Sequence, residues 1–518
     1  MRNWHSLYEI LYFPICVMLA AQVLLGLGNL LTNEVFESFI RIDNEFITLL
    51  AQTGMRLGTF LLVNFPLLFL IRLVARKNGS ATTIISAFSG YVVFQIVTMY
   101  FATPSMPTTA YSSILGISFT AASTALMSGG VHYPLQTGLA ATAIVSIITL
   151  RSYSRSRIRS EYGFFSFISK DTFCVIRTMF FSTIFGIIIA YIWPYIIEAL
   201  QAAITYIASD TTNPANLAVF GIMERMLSVL NLGTIIRSPF WYGTSGGSWI
   251  SMAGTNIAGD VNIWTAQLAA GSISGMTGRF ITPYYVLNLF AIPGLLWGMY
   301  SMQTDRLERR RTRMLYILVT AMSLLSGTLL PVELMLFFLC PLLFLFHIGY
   351  TGVLFGVFQS MHTYLGFNYS GTSTITAMPG TLLEYLSYIG NSSLTDTLIK
   401  ILIVGGISFL IYFFFTRLYF RRLALDVFHT GGKDRLVMGT VEALGGIENV
   451  KLIHSSADRV VVSLYDPTKL NVNKLRELGS IRITETRAGY SIAYGAASTM
   501  VRIGIIEYMR DSIRSVNR

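Results

Sequence analysis

The chemical reading starts from charged residues lodged in apolar sequence. Glu333 sits within an apolar run, where a carboxylate is by default functional or paired. Arg237 raises the same question: a cation at membrane depth needs a partner, and Glu224 and Glu333 are the candidates. The alternative for Arg237 is a loop arginine facing water. With Asn231, Thr234, Asn288 and Thr328, these groups are the ones from which a polar binding cavity would be lined. Other chemistries leave no trace. There is no P-loop, no dinucleotide glycine fingerprint, no H-E-x-x-H and no paired Cys/His metal spacing. Gly243 to Gly247 (GTSGG) reads as a flexible loop at the cavity. Cys16, Cys174 and Cys340 all fall in apolar runs and read as small core residues, so neither metal nor cofactor is expected.

The elements that hold these residues must be helices in lipid. Of 518 residues, 53% are hydrophobic and only 12% charged, against roughly 25% charged in an ordinary soluble chain. Apolar runs at 8–32, 57–75, 83–101, 174–207, 280–301, 313–330, 334–356 and 397–420 approach or exceed the length a membrane helix needs. The net charge of +11 does not point to nucleic acid, because the basic residues cluster beside these runs. The clusters are Arg72, Arg76 and Lys77; Arg151, Arg155, Arg157 and Arg159; Arg306, Arg309, Arg310, Arg311 and Arg313; and Arg417, Arg421 and Arg422. The positive-inside rule puts all four on the cytoplasmic side, together with the polar C-terminal segment. Three apolar runs lie between the first two clusters, where an even number of crossings is required. The Gly, Ser and Thr-rich stretch 112–130 therefore reads as a broken or re-entrant element. The first run lacks a convincing small-residue cleavage site and reads as a retained helix.

After Arg422 the chain turns polar. Helical spacing at 436–446 ends at Gly445-Gly446, 459–464 (RVVVSL) suits a buried strand, and Asp466-Pro467 marks a turn before a second helical stretch at 468–478. Segments 481–486 and 490–494 alternate like paired strands, and a helix follows from about 497. This is a small α/β domain behind a glycine-bearing linker, His429 to Lys433.

Several separated motifs, in order, carry a resemblance. They are Leu135-Gln136-Thr137-Gly138, Trp193-Pro194, Gly221 to Leu227 (GIMERML), Ile292-Pro293-Gly294, Gly327 to Pro341 (GTLLPVELMLFFLCP), Ala443 to Asn449 (ALGGIEN) and Gly489 to Gly495. Over nearly its full length the chain resembles the IIBC permeases of the glucose, maltose and N-acetylglucosamine family of the sugar phosphotransferase system (PTS). GIMERML is similar to the family's G-F-I-E-R-L-L, GTLLPVELMLFFLCP to its G-I-T-E-P-L-E-F signature, and Trp193-Pro194 to a pair that ends a family helix. The resemblance implies an α-helical polytopic membrane protein of the glucose-superfamily IIC fold, with about ten membrane helices plus re-entrant hairpins and a small C-terminal α/β IIB-like domain. The implied division is a IIC-like domain over 1–425, a linker over 426–433 and a cytoplasmic IIB-like domain over 434–518. It further implies a homodimer in the bacterial inner membrane, with sugar as substrate and a PTS or regulatory protein as partner of the tail.

At the points where that family does its chemistry, the residues differ. The family's phosphate carrier is a cysteine in a pattern like D-A-C-I-T-R; here the stretch is His454-Ser455-Ser456-Ala457-Asp458-Arg459, with Ser456 in the cysteine's place. A serine hydroxyl has a far higher pKa than a thiol and forms a poor phosphate donor, and the tail has no cysteine, so thiol-based transfer through it is excluded. Arg459 keeps the phosphate-loop arginine, while the second arginine of the pattern is Val461. His454, two residues away, is an inert surface histidine or a substitute phosphate acceptor. In the membrane signature the family's T-E pair becomes Leu329-Leu330, and Leu330 cannot accept a hydrogen bond; Glu333 matches the second glutamate, as a sugar contact or a scaffold carboxylate. The family's G-L-H-H-I-x-N-x-P-F becomes Asn231 to Phe240, with Gly233 and Thr234 replacing both histidines and Arg237 replacing the asparagine.

Three functions fit this pattern. The first is a permease-like protein without transferase activity, acting as sensor, regulator or partner-binding subunit through its tail. The second is a transporter that moves its substrate without phosphorylating it, and the third a sugar transferase served by a separate IIB protein. Losses concentrated at three chemical points beside intact scaffold motifs favour the first.

Overall fold

The computed structural model describes residues 4–33, 36, 44–102, 106–112, 114–115, 119–120, 131–158, 168–252, 254–304, 306–368, 379–424, 433–456, 458–486 and 489–516. The proposed linker falls almost wholly outside them, as do Arg159 and most of 112–130. The fold is a polytopic α-helical bundle followed by a small α/β unit. Among the described residues, six helices are long and apolar enough to cross a membrane: Ile10–Leu31, Glu45–Val63, Ala81–Phe101, Lys170–Ser209, Pro341–Ser360 and Ser392–Leu423. Thr312–Ser326 and Leu330–Leu339 are shorter apolar helices.

Where the expected spans differ from the structure, prolines and hydrogen-bonding side chains account for most of the breaks. The run 57–75 divides at Asn64 into helices Glu45–Val63 and Phe65–Asn78. Pro66 opens the second helix, while Asn64 Nδ2 donates to Phe60 O (2.8 Å) and Oδ1 accepts from Leu115 N (2.9 Å). The run 280–301 is a helix over Thr282–Val286, a π turn over Leu287–Ala291 and a helix over Ile292–Ser301, the turn lying just ahead of Pro293. The run 334–356 breaks at Cys340-Pro341 into Leu330–Leu339 and Pro341–Ser360. Trp193-Pro194, expected to end a helix, lies instead inside the 40-residue helix Lys170–Ser209. Ala190, Trp193 and Ile197 are buried on either side of that proline, so packing carries the helix past the lost backbone hydrogen bond.

Between Lys77 and Arg151 the described residues contain two long helices, Ala81–Phe101 and Leu139–Ile158. Of the intervening stretch, Phe119–Thr120 pairs antiparallel with Val131–His132, and Tyr111 bridges Leu135, so the ends of the stretch lie side by side.

The tail has its own apolar core, built from Leu436, Val441, Val460, Val462, Ile492, Met500, Val501 and Ile505 among others. Helix Lys433–Ala443 leads into a four-stranded antiparallel sheet whose first strand, Val450–Ser455, pairs with Arg459–Leu464; that strand pairs with Gly489–Ala493, which pairs with Arg482–Thr486. Helix Ser498–Val516 closes the unit. The helical stretch expected at 468–478 shrinks to Val472–Glu477, because Asn471 caps it by accepting from Lys474 N (3.0 Å). Strand Val450–Ser455 has no counterpart in the sequence reading.

Gly138 fixes how the helix at Leu139 meets the rest of the bundle. Its φ is +52°, and a Cβ there would lie 2.0 Å from Leu230 O, the atom that accepts from Leu139 N. Gly138→Ala is expected to destabilise the membrane portion by about 1–3 kcal/mol, read as a lower melting temperature in detergent; an unchanged melting temperature would contradict this packing.

Candidate functional site

The helix Pro214–Val229 carries Glu224, Arg225 and Ser228. Asn213 caps it by accepting from Ala215 N (2.9 Å), and Pro214 occupies its first turn. It lies tight against Pro341–Ser360: a Cβ on Gly221 would meet the Phe355 ring at 2.3 Å, and one on Gly352 would meet Ala218 O at 2.9 Å. Glu333 projects from the first turn of Leu330–Leu339, where the exposed N–H groups of a helix end favour a carboxylate.

These elements bring the charges together. Arg225 forks onto Glu224, with Nη2 donating to Oε1 at 2.8 Å, and its Nη1 donates to Glu333 Oε1 at 3.0 Å. Ser228 Oγ donates to Glu224 Oε1 at 2.9 Å, and Arg237 Nη1 stands 3.5 Å from the same oxygen. His347 Nε2 lies 3.0 Å from Glu333 Oε1, and its Nδ1 lies 2.8 Å from Tyr412 OH. Glu224, Glu333 and His347 are fully buried. Two guanidiniums thus balance two carboxylates, which is the condition for holding charge away from water. The faces of Tyr284 and Trp241 add cation–π contacts, 4.9 Å from Arg225 and 5.2 Å from Arg237.

This network forms one wall of a cavity lined by Gln136, Arg225, Asn231, Gly233, Thr234, Arg237, Trp241, Tyr284, Thr328, Leu330 and Glu333, together with further, mostly apolar side chains. Of the residues expected to line a binding cavity, Asn231, Thr234, Arg237, Thr328 and Glu333 do so, alongside Gly233 and Leu330. Asn288 does not: its Nδ2 donates to Gly327 O (3.2 Å) and Pro379 O (3.1 Å), which holds the wall from behind. The loop Gly243–Gly247 also lies off the cavity. Thr244–Gly246 is a 3-10 turn leading into the hairpin Ser248–Ile250 and Asn256–Ala258, and a Cβ on Gly246 would overlap Phe240 O at 1.7 Å.

Sequence reasoning missed Gln136, Ser228, Trp241, Tyr284, His347 and Tyr412 as parts of this constellation. Gln136 Nε2 donates to Asn231 O (2.8 Å), and Thr234 Oγ1 donates to Gln136 Oε1 (2.7 Å). His347 had left one usable signal, a lone imidazole in an apolar helix. Three polar atoms of cavity-wall residues are buried with no hydrogen-bond partner among the described residues: Glu333 Oε2, an acceptor, Trp241 Nε1, a donor, and Tyr284 OH, which can be either.

In the tail, Ser456 is buried and its Oγ donates to Asp458 Oδ1 (3.0 Å). Arg459 spends its fork on the same carboxylate, Nε to Oδ1 at 3.1 Å and Nη2 to Oδ2 at 3.0 Å. Asp458 therefore occupies both groups that a phosphate would use there. Its carboxylate was visible in the sequence, but its fold-back onto Arg459 was not. His454 is paired opposite Val461 in the sheet.

A bundle of helices long and apolar enough to cross a membrane, around a cavity with one charge-balanced wall, is the architecture of a polytopic membrane protein. The comparisons make this specific: residues 9–352 match the family "Phosphotransferase system, EIIC", and the chain belongs to that family of sugar permeases. It is 26% identical over 98% of its length to the "PTS system glucoside-specific EIICBA component" of Staphylococcus carnosus (strain TM300), covering 73% of that protein. Among solved structures it matches the transporter ChbC, the IIC component of the N,N'-diacetylchitobiose-specific phosphotransferase system, at 13% identity and a TM-score of 0.31, over 80% of this chain and 94% of that one.

Glu224 serves Arg225, Arg237 and Ser228, whereas Glu333 serves Arg225 and His347. Glu224→Gln is accordingly expected to lower stability more than Glu333→Gln, by about 3–5 kcal/mol against about 1–3 kcal/mol, measured by thermal unfolding in detergent. The reverse order would contradict the assigned bonding.

Proposed function

We propose that this chain is a PTS permease-family membrane protein that binds a sugar but does not phosphorylate it through its own tail, and that the tail acts as a sensor, regulatory or partner-binding unit. The observation that carries this reading is the closed phosphate loop: Ser456 and Arg459 are both bonded to Asp458, and the tail lacks a thiol. A carboxylate at that position also repels an incoming phosphate dianion. The membrane portion agrees, since Leu330 presents hydrocarbon where the family carries a glutamate, and Gly233-Thr234 stand where it carries two histidines. No general base is left at those positions to take a proton from a sugar hydroxyl.

The cavity supports sugar binding more than empty packing. Glu333 Oε2, Trp241 Nε1 and Tyr284 OH are unpartnered polar atoms on lining residues, of the kind that sugar hydroxyls satisfy. In this reading Asn231, Thr234, Arg237, Thr328 and Glu333 contact or position the ligand, and Asn288 supports them. A glucoside, the class named for the Staphylococcus carnosus relative, is the first ligand to try. The same reading has the protein as a homodimer in the bacterial inner membrane, with residues 434–518 cytoplasmic behind a linker at 426–433. Transport without phosphorylation is the second reading, favoured by the same unpartnered cavity atoms. A transferase served by a separate IIB protein is the third, and the losses at Leu330, Gly233 and Thr234 count against it.

The test is uptake and phosphorylation of radiolabelled glucose, maltose, N-acetylglucosamine and a β-glucoside in cells lacking other permeases of this type, with Ser456→Cys and Leu330→Glu variants alongside. The native chain is expected to yield no sugar phosphate. Uptake of free sugar would favour the second reading, and formation of sugar phosphate by the native chain would refute the proposal.

A further inference from the structure

Behind the cavity wall lies a further buried carboxyl, and this one has no counter-charge. Pro379 lines the cavity, and its carbonyl accepts from Asn288 Nδ2 at 3.1 Å. Gly380, with a φ of +86°, is pressed onto the backbone of Tyr284, another lining residue: a Cβ there would lie 2.6 Å from the Tyr284 carbonyl carbon. Thr381 then caps the short helix Leu382–Ser387, its Oγ1 accepting from Glu384 N at 3.2 Å. The chain thus passes directly from the cavity edge to Glu384, which lies outside the six long apolar helices.

Glu384 is buried, and the groups around it are neutral. Its Oε1 accepts from Asn368 N (2.9 Å) and from Tyr388 OH (3.3 Å), and Tyr388 OH accepts in turn from Trp264 Nε1 (3.2 Å). Tyr285, the other titratable group that faces it among the described residues, belongs to the helix Thr282–Val286 and donates its O–H to Gly366 O at 2.8 Å. Among the described residues no Lys, Arg or His pairs with Glu384, and the stretch 369–378 that joins Asn368 to Pro379 contains none of the three. Glu224 and Glu333, in contrast, are each held by a guanidinium. Both hydrogen bonds to Glu384 fall on Oε1, and Oε2 has no partner among the described residues. A carboxylate taken out of water without a cation is costlier than the neutral acid, so the group takes up a proton instead, and Oε2 is the oxygen left to carry it.

We propose that Glu384 is a proton-binding site: its proton keeps the helix Leu382–Ser387 packed and the Pro379-Gly380 edge of the cavity in place, and loss of the proton releases that edge. The site is separate from the Arg225 network, and it stands whether or not the cavity takes a sugar. When the segment opens to water the acid ionises, so opening releases a proton and is favoured as pH rises above the ordinary carboxylate range.

Two measurements on the full-length protein in detergent test this. Hydrogen exchange over 380–388 is compared between the native chain and Glu384→Gln at each pH from about 5 to about 9, so that the intrinsic pH dependence of exchange cancels. The ratio of native to variant exchange is expected to rise by up to about tenfold per pH unit and to level off once the buried acid itself ionises. Infrared spectra at neutral pH are expected to show the C=O stretch of a protonated carboxyl that Glu384→Gln removes. Should Glu384→Gln misfold, Glu384→Asp keeps an acid at the site and assigns the band by shifting it. A ratio that does not change with pH, or a native spectrum without that band, overturns the proposal.

Discussion

An arginine buried between two carboxylates is the constraint around which the membrane portion is organised. Arg225 can remain charged away from water only while Glu224 and Glu333 are both in reach, and Glu333 in turn holds His347, whose other nitrogen meets Tyr412. One hydrogen-bonded path therefore ties four helices, Pro214–Val229, Leu330–Leu339, Pro341–Ser360 and Thr395–Leu418, at fixed spacing. Removing a carboxylate leaves a buried cation short of its counter-charge, at about 3–5 kcal/mol for Glu224 and about 1–3 kcal/mol for Glu333. The glycines at 221 and 352 make the approach possible, and the breaks at Gly327 and Cys340-Pro341 put the first turn of Leu330–Leu339 where its glutamate meets the arginine.

The residues at the positions singled out in the sequence are compatible with their surroundings. Thr234 bonds Gln136, which also ties down Asn231. Gly233 packs so closely on Ser228 that a Cβ would lie 2.3 Å from its Oγ, so a histidine at this position would require the turn to move. Asp458 satisfies Ser456 and Arg459 at once. Among the cavity-lining residues, Glu333 Oε2, Trp241 Nε1 and Tyr284 OH are buried without a hydrogen-bond partner among the described residues.

Much of this was legible in the chain. Apolar runs pointed to the bundle, motif order to the family, and periodicity to the tail's strand at 459–464 and to its helix, read at 436–446 and found three residues earlier at Lys433–Ala443. The Arg237–Glu224 pairing was readable because a charge in apolar sequence has few partners to choose from. What stayed hidden depends on the third dimension. Trp193-Pro194 does not stop its helix because neighbouring packing overrides a local breaker. Asn288 looked like a cavity residue from its polarity, yet its amide faces two backbone carbonyls. His347 and Tyr412 lie 65 positions apart, and no local pattern joins them. The strand Val450–Ser455 was missed because only its two ends are buried, while the sequence between them alternates poorly.

The most direct test of the account is a double-mutant cycle on the link between two of these helices, using Arg225→Met, Glu333→Met and the double variant, with stability read from unfolding in detergent. The account predicts that the double variant is more stable than the sum of the single losses allows, with an interaction of at least about 1 kcal/mol, because each single change strands the charge its partner had balanced. Additive losses would mean that Arg225 and Glu333 do not hold each other, and that the helices are positioned by apolar packing alone.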